Sequence, residues 1–191
     1  MDGDLRNKKQ IKAKKMMLWF GIISMSMTFA GLTSAYVVSK SRPDWLSEYA
    51  LPQLFLYSTI IIIISSFTFH FAKTAIKNNN RSLANSLMLV TLILGALFVY
   101  MQFAGFDQII EDGYHFTGAA SNVRMSFVYV LVVAHLAHIL GGLIVLLVVI
   151  YNHFRKKYTA SNMLGFELGL TFWHFVDALW VYLFLFLYFF K

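Results

Sequence analysis

The sequence predicts an all-α integral membrane protein with five transmembrane helices, on three observations. Hydrophobic residues make up 59% of the chain and charged residues only 13%, against about a quarter charged in ordinary soluble domains. The apolar residues gather into five runs, each long enough for the roughly 20 residues that a hydrocarbon core requires. The segments between the runs are short and polar, so no soluble domain fits beside the membrane portion.

Residues 1–15 read as a basic tail carrying Arg6, Lys8, Lys9, Lys12, Lys14 and Lys15. The first span, about 16–38, follows it. Its apolar stretch exceeds the roughly 7–15 residues of a signal-peptide core and no convincing cleavage site follows, so it is read as a retained helix. Gly21, Ser24, Thr28, Gly31 and Ala35 recur three or four residues apart on one face. Small residues there allow close approach of another helix, from this chain or from another subunit.

The turn residues Ser41-Arg42-Pro43-Asp44 separate it from the second span, about 53–76, and Asn78-Asn79-Asn80 precede the third, about 83–106. The third span carries Gly95 and, two turns on, Gln102. A glutamine side chain at membrane depth must find hydrogen-bond partners, so Gln102 is expected to face protein.

The fourth span, about 125–151, contains "VVAHLAHILGG". His135 and His138 share a helical face, and Gly141 and Gly142 open the backbone to a neighbour. Metal ligation, haem ligation and a proton relay are the functional readings of such a pair. The plainer reading is two neutral imidazoles hydrogen-bonded between helices, since no carboxylate or cysteine stands beside them as a third ligand.

The fifth span, about 168–190, follows "GFE" and holds "WHFVDALW". Glu167 and His174 lie seven apart on one stripe; Trp173, Asp177 and Trp180 form the adjacent one. Asp177 sits about ten residues, or some 15 Å, into the bilayer. A charged side chain there costs about 2.5–3.5 kcal/mol on insertion scales, so it must face protein. With the fourth and fifth spans antiparallel, His135, His138, His174 and Asp177 fall at similar depth. Imidazole–carboxylate or imidazole–imidazole contacts between these two helices are therefore expected.

Charge placement sets the orientation. Twelve of the sixteen lysines and arginines fall in the tail and in the loops around Lys73, Lys77 and Arg81 and around Arg155, Lys156 and Lys157. The opposite side has Lys40, Arg42, Arg124 and Lys191, with Asp44, Glu48, Asp107, Glu111 and Asp112. The positive-inside rule then places the N-terminus in the cytoplasm and the C-terminus outside. The net charge of +7 is thus a topology signal and does not indicate nucleic-acid binding. No glycine-rich phosphate loop or dinucleotide fingerprint is present. The absence of cysteine excludes disulfides, zinc–thiolate and iron–sulfur sites, covalent c-type haem and a thiolate copper centre. One rival uses histidine alone. His70 and His174 lie at similar depth from the basic side, as a bis-histidine b-type haem in a quinol-oxidising membrane anchor would need.

Four motifs in order resemble subunit III of the haem–copper terminal oxidases, the cytochrome c oxidase family. Gly165-Phe166-Glu167 with "WHFVDALWVYLF" is similar to that family's final-helix pattern, and "AHLAHILGG" to its "GFHGLHVxxG". Leu94-Gly95 through Gln102 resembles "LGxxFxxxQ", and "MTFAG" at 27–31 resembles "MFFAG". The matches cover nearly the whole chain and fit the short five-helix bacterial form, lacking the first two helices of the common seven. Met25 stands where the family often has a membrane glutamate, so that residue's role does not carry over. The family's "QxxEY" is reduced to Gln102-Phe103-Ala104-Gly105-Phe106.

The resemblance implies a non-catalytic subunit of an aerobic, proton-pumping oxidase in the bacterial inner membrane. It implies no cofactor in this chain; the haems and copper belong to partner subunits I and II, and bound phospholipids are expected. Subunit III supports the catalytic subunit, its lipids and proton uptake, in a cytochrome c oxidase or alternatively a quinol oxidase; a respiratory supercomplex would be a further level of assembly. On this reading His135, His138, Glu167, His174, Asp177 and Gln102 form a structural polar core. Gly21, Ser24, Thr28, Gly31, Gly141, Gly142, Trp173 and Trp180 pack helices, and no residue is catalytic or metal-binding.

Overall fold

The computed structural model describes residues 2–45, 49–118, 121–159 and 162–190. Glu48 and Lys191, counted in the charge asymmetry, lie outside the described residues. Five helices follow one another: α1 (Asp2–Ser39), α2 (Gln53–Lys77), α3 (Arg81–Glu111), α4 (Val123–Phe154) and α5 (Leu164–Phe189). All five are long and apolar enough to cross a membrane. A run of 25 residues such as α2 rises about 37 Å, more than a hydrocarbon core. The chain is a multi-pass membrane protein.

The helices outrun the predicted spans at several ends. Helix α1 runs without a break from Asp2 through the basic residues into the first apolar run. Lysine, arginine, glutamine and alanine are good helix formers, and a helix nucleated by the apolar span propagates into them at little cost. Helix α3 continues to Glu111, and α5 begins at Leu164, which takes the "GFE" triplet into its first turn.

Side-chain caps stop two helices where the polar turns predict. Asn80 Oδ1 accepts from the Leu83 N–H at 3.1 Å, and Asn122 Oδ1 from the Arg124 N–H at 2.9 Å, each satisfying an orphan donor of a first turn. Between α2 and α3, Asn79 adopts a left-handed φ of 56°, which asparagine tolerates better than most residues.

Helices α2 and α3 pair most extensively, α5 packs against both α4 and α2, and among the described residues α1 packs against α5 and α4. The shared core is aromatic, with Trp173, Trp180, Phe29, Phe55, Phe69, Phe98 and Phe166 almost fully enclosed. Glycines set the spacing where these rings sit. A Cβ on Gly95 would come within 2.9 Å of both Leu143 and Trp173, one on Gly142 within 3.3 Å of Trp173, and one on Gly105 would strike the Phe55 ring.

Candidate functional site

The polar residues buried in the bundle are served mainly by hydroxyls on α2. Gln102 on α3 is fully enclosed and its Nε2 donates to Ser58 Oγ at 2.7 Å. Trp173 Nε1 donates to Ser65 Oγ at 3.1 Å, and Trp180 Nε1 to Thr59 Oγ1 at 2.9 Å. Thr68 and Thr91 join α2 to α3 at 2.9 Å. Each hydroxyl can donate to its own helix while accepting from a neighbour, as Thr59 does by donating to Phe55 O at 2.6 Å. These serines and threonines are the residues that reading the sequence for histidines and carboxylates missed. Their signal was a cluster of hydroxyls at helical spacing within an otherwise isoleucine-rich and phenylalanine-rich span.

His174 and Asp177 turn toward α2, not α4. His174 Nδ1 is hydrogen-bonded to Ser66 Oγ, and its ring lies 5.8 Å from that of His70, tilted by 34°. Asp177 is 3% exposed, and among the described residues neither carboxyl oxygen has a hydrogen-bond partner. Ser66, His70, His174 and Asp177 line one groove of about 330 Å³ between α2 and α5, walled by Ile63 and Phe67.

His135 and His138 belong to a different environment. The His135 ring is completely buried among Trp180, Phe98 and Phe29, at centroid distances of 5.1, 6.1 and 6.4 Å. Among the described residues neither of its nitrogens has a hydrogen-bond partner. His138 Nδ1 is 2.7 Å from the Ala134 carbonyl of its own helix, with Phe29 edge-on at 5.6 Å. Contacts between α4 and α5 at this level are thus aromatic. The expected pairing of the α4 imidazoles with His174 or Asp177 is replaced by pairing with α2, because Trp180 occupies the α4-facing side of α5.

One further expectation is corrected. Glu167 is no part of an internal core: it is 36% exposed at one end of the bundle and pairs with Lys73 at 3.1 Å and Lys15 at 4.0 Å. Gly21, Ser24, Thr28 and Gly31 are exposed, and a Cβ on either glycine would meet nothing within 4 Å. It is Ile22, Phe29, Thr33 and Tyr36 that α1 buries. Gly141 is likewise open while Gly142 lies under Trp173. Trp173 and Trp180 are each 1% exposed.

At the opposite end a second cluster forms around Arg124, which reading the sequence treated only as a charge. Arg124 is fully buried; its Nε donates to Tyr36 Oη at 3.3 Å and its Nη1 to the Tyr49 carbonyl at 3.1 Å. Tyr36 Oη donates in turn to the Phe190 carbonyl at 2.7 Å. One guanidinium so links α1, α4, the first loop and the end of α5. Tyr49 Oη donates to Asp112 Oδ2 at 2.6 Å, and partial burial together with that carboxylate raises the phenol above its ordinary range. On the surface, Arg42 holds Asp44 at 2.9 Å and lowers its carboxyl.

Among the described residues no group of three or more histidine, aspartate and glutamate side chains is placed to hold a metal ion. Five membrane-length helices around an aromatic core define a polytopic membrane protein. The sequence profile of the family described as Cytochrome c oxidase subunit III matches residues 9–191. The chain belongs to that family, whose members are subunits of a multi-subunit oxidase. It is 32% identical to cytochrome c oxidase subunit 3 of Synechocystis sp. over 87% of this chain and 71% of the relative. It is also 32% identical to the subunit of that name in Thermostichus vulcanus, over 87% and 82%. The cytochrome bo(3) ubiquinol oxidase subunit 3 of Pseudomonas aeruginosa is 27% identical over 87% and 79%.

Proposed function

We propose that this chain is the non-catalytic third subunit of a proton-pumping haem–copper cytochrome c oxidase in a bacterial inner membrane. The family match over residues 9–191 carries this reading. The enclosed residues of α2, α3 and α5 support it, since tryptophan and glutamine side chains are hydrogen-bonded across these helices to hydroxyls of α2. The chain packs against oxidase subunits I and II, holds phospholipids on its apolar outer faces and supports proton uptake by the catalytic subunit. Residues 16–191 act as one transmembrane unit with the basic end in the cytoplasm, on the strength of the lysine and arginine distribution. Co-purification with a haem–copper catalytic subunit after mild detergent extraction tests the assignment; recovery of the chain without any such partner refutes it. Asp177→Leu is expected to weaken assembly or shorten the lifetime of activity during turnover, and unchanged assembly and lifetime would remove the polar seam from the stabilising role.

The quinol-oxidase reading is favoured by the Pseudomonas relative. Oxygen consumption by the purified complex with reduced cytochrome c, compared with a quinol, separates the two donors. The haem-anchor reading keeps the juxtaposed rings of His70 and His174 and has family membership against it. A stoichiometric b-type absorption band from the isolated chain would reinstate it.

A further inference from the structure

The α2–α5 groove contains an arrangement that the scaffold role does not use. Asp177 is 97% withdrawn from the surface with both carboxyl oxygens lacking ordinary hydrogen bonds. A buried carboxyl without partners costs several kcal/mol, more if charged, so packing alone gives no reason for this residue in place of a leucine or asparagine. Ser66, bonded to His174 Nδ1, lines the same groove as Asp177. The imidazole, the hydroxyl and the carboxyl thus face one cavity. His70, exposed and 5.8 Å from the His174 ring, lies at the open side of the groove. One helical turn farther along α2, Lys73 meets Glu167 and, with Lys15, marks the basic end.

We propose that Ser66, His174 and Asp177, with His70 at the mouth, form a proton-transfer site in the α2–α5 seam, at which Asp177 stores a proton taken from water at the basic end. Imidazole suits this use because it accepts a proton at one nitrogen and releases another from the second. Water at the open side of the groove gives a proton to His174 Nε2, and the hydroxide left behind returns to the bulk solvent at the basic end. The Nδ1 proton passes to Ser66 Oγ while the serine's own proton passes to a carboxylate oxygen of Asp177. One proton enters and one O–H bond forms at the carboxyl; His174 is left neutral with its hydrogen on Nε2, and the reverse sequence or a ring rotation resets it. The titratable groups on the surrounding helices are His70 and Lys73 on α2, Glu167 on α5, His135 and His138 on α4 and Lys15 on α1. The site is local to this chain, so it stands or falls separately from the oxidase assignment.

Infrared difference spectroscopy of the full chain in phospholipid vesicles, transferred from H₂O to D₂O, tests the proposal. The expected result is a protonated-carboxyl C=O band that is absent in Asp177→Asn and shifts in D₂O faster than the buried amides exchange. Ser66→Ala and His174→Phe are expected to slow that shift about a hundredfold, the low end of what a positioned proton-transfer group contributes, while Ser66→Thr keeps the hydroxyl and the rate. Lack of an Asp177-dependent band overturns the proposal. So does a shift no faster than buried amide exchange in the unaltered chain, which requires no variant to fold. An unchanged rate in both Ser66→Ala and His174→Phe overturns it as well.

Discussion

At the scale of single residues, tryptophans do much of the work that the sequence pattern attributes to histidines. Trp173 fills the space left by Gly95 and Gly142 and donates to Ser65. Trp173→Leu removes both the ring volume and the hydrogen bond, and is expected to lower stability by about 3 kcal/mol, measured by denaturant titration in detergent micelles followed by circular dichroism. His135 gives the opposite expectation. Among the described residues its nitrogens have no partners and its walls are aromatic, so His135→Phe replaces unsatisfied polar atoms by a ring of similar shape. Equal or higher stability is expected in the same titration; a loss above about 1 kcal/mol would show that a hydrogen bond had been removed. Gln102 and Asp177 were legible as inward-facing from membrane depth alone, but their partners were not. Depth ranks residues along the membrane normal and says nothing about which neighbouring helix each one faces.

At the scale of helices, glycines separate the tightly packed elements from the loosely attached one. Gly105→Ala drives a methyl group into the Phe55 ring between α3 and α2, and such overpacking costs about 1–3 kcal/mol. Gly21→Ala and Gly31→Ala on α1 meet nothing and are expected to change stability by less than about 1 kcal/mol, in the stabilising direction, through helix propensity. Thermal unfolding of the three variants in one detergent checks the contrast. The small-residue stripe on α1 was legible as a face of close approach, yet within this chain that face is uncovered. Hydrophobic and small-residue periodicity cannot distinguish a face packed inside the chain from one turned to lipid or to a partner, because the bilayer is as apolar as the core. Helix boundaries were legible where asparagine caps them, and less so at α1, where charged residues are good helix formers.

For the molecule as a whole, the two ends are held differently. Lys15, Lys73 and Glu167 join α1, α2 and α5 through partly exposed ion pairs, which salt screens and which contribute little each. The other end is tied by buried Arg124 and by the hydrogen bond from Tyr49 to Asp112. Because the Tyr49 phenol is raised above its ordinary value, its contribution to stability is whole below about pH 10, where both states keep the proton. It declines above that pH, since the unfolded chain ionises first. Tyr49→Phe is therefore expected to unfold more readily than the unaltered chain at pH 8, with the difference shrinking as pH rises past 10; a difference that grows with pH contradicts the contact.

The sequence by itself determined the five-helix membrane class, the number of spans, the side on which basic residues gather and the family. These follow from composition, run length and local motifs, which survive whatever the helices pack against. Only the tertiary structure decided that His174 and Asp177 face the hydroxyls of α2, that His135 is enclosed by aromatic rings, that Glu167 belongs to the basic end and that Arg124 gathers the opposite one. Each of those outcomes depends on the rotation of one helix about its axis relative to its neighbours. Interlocking of tryptophans, phenylalanines and glycines across the whole bundle sets that rotation, and no single span encodes it.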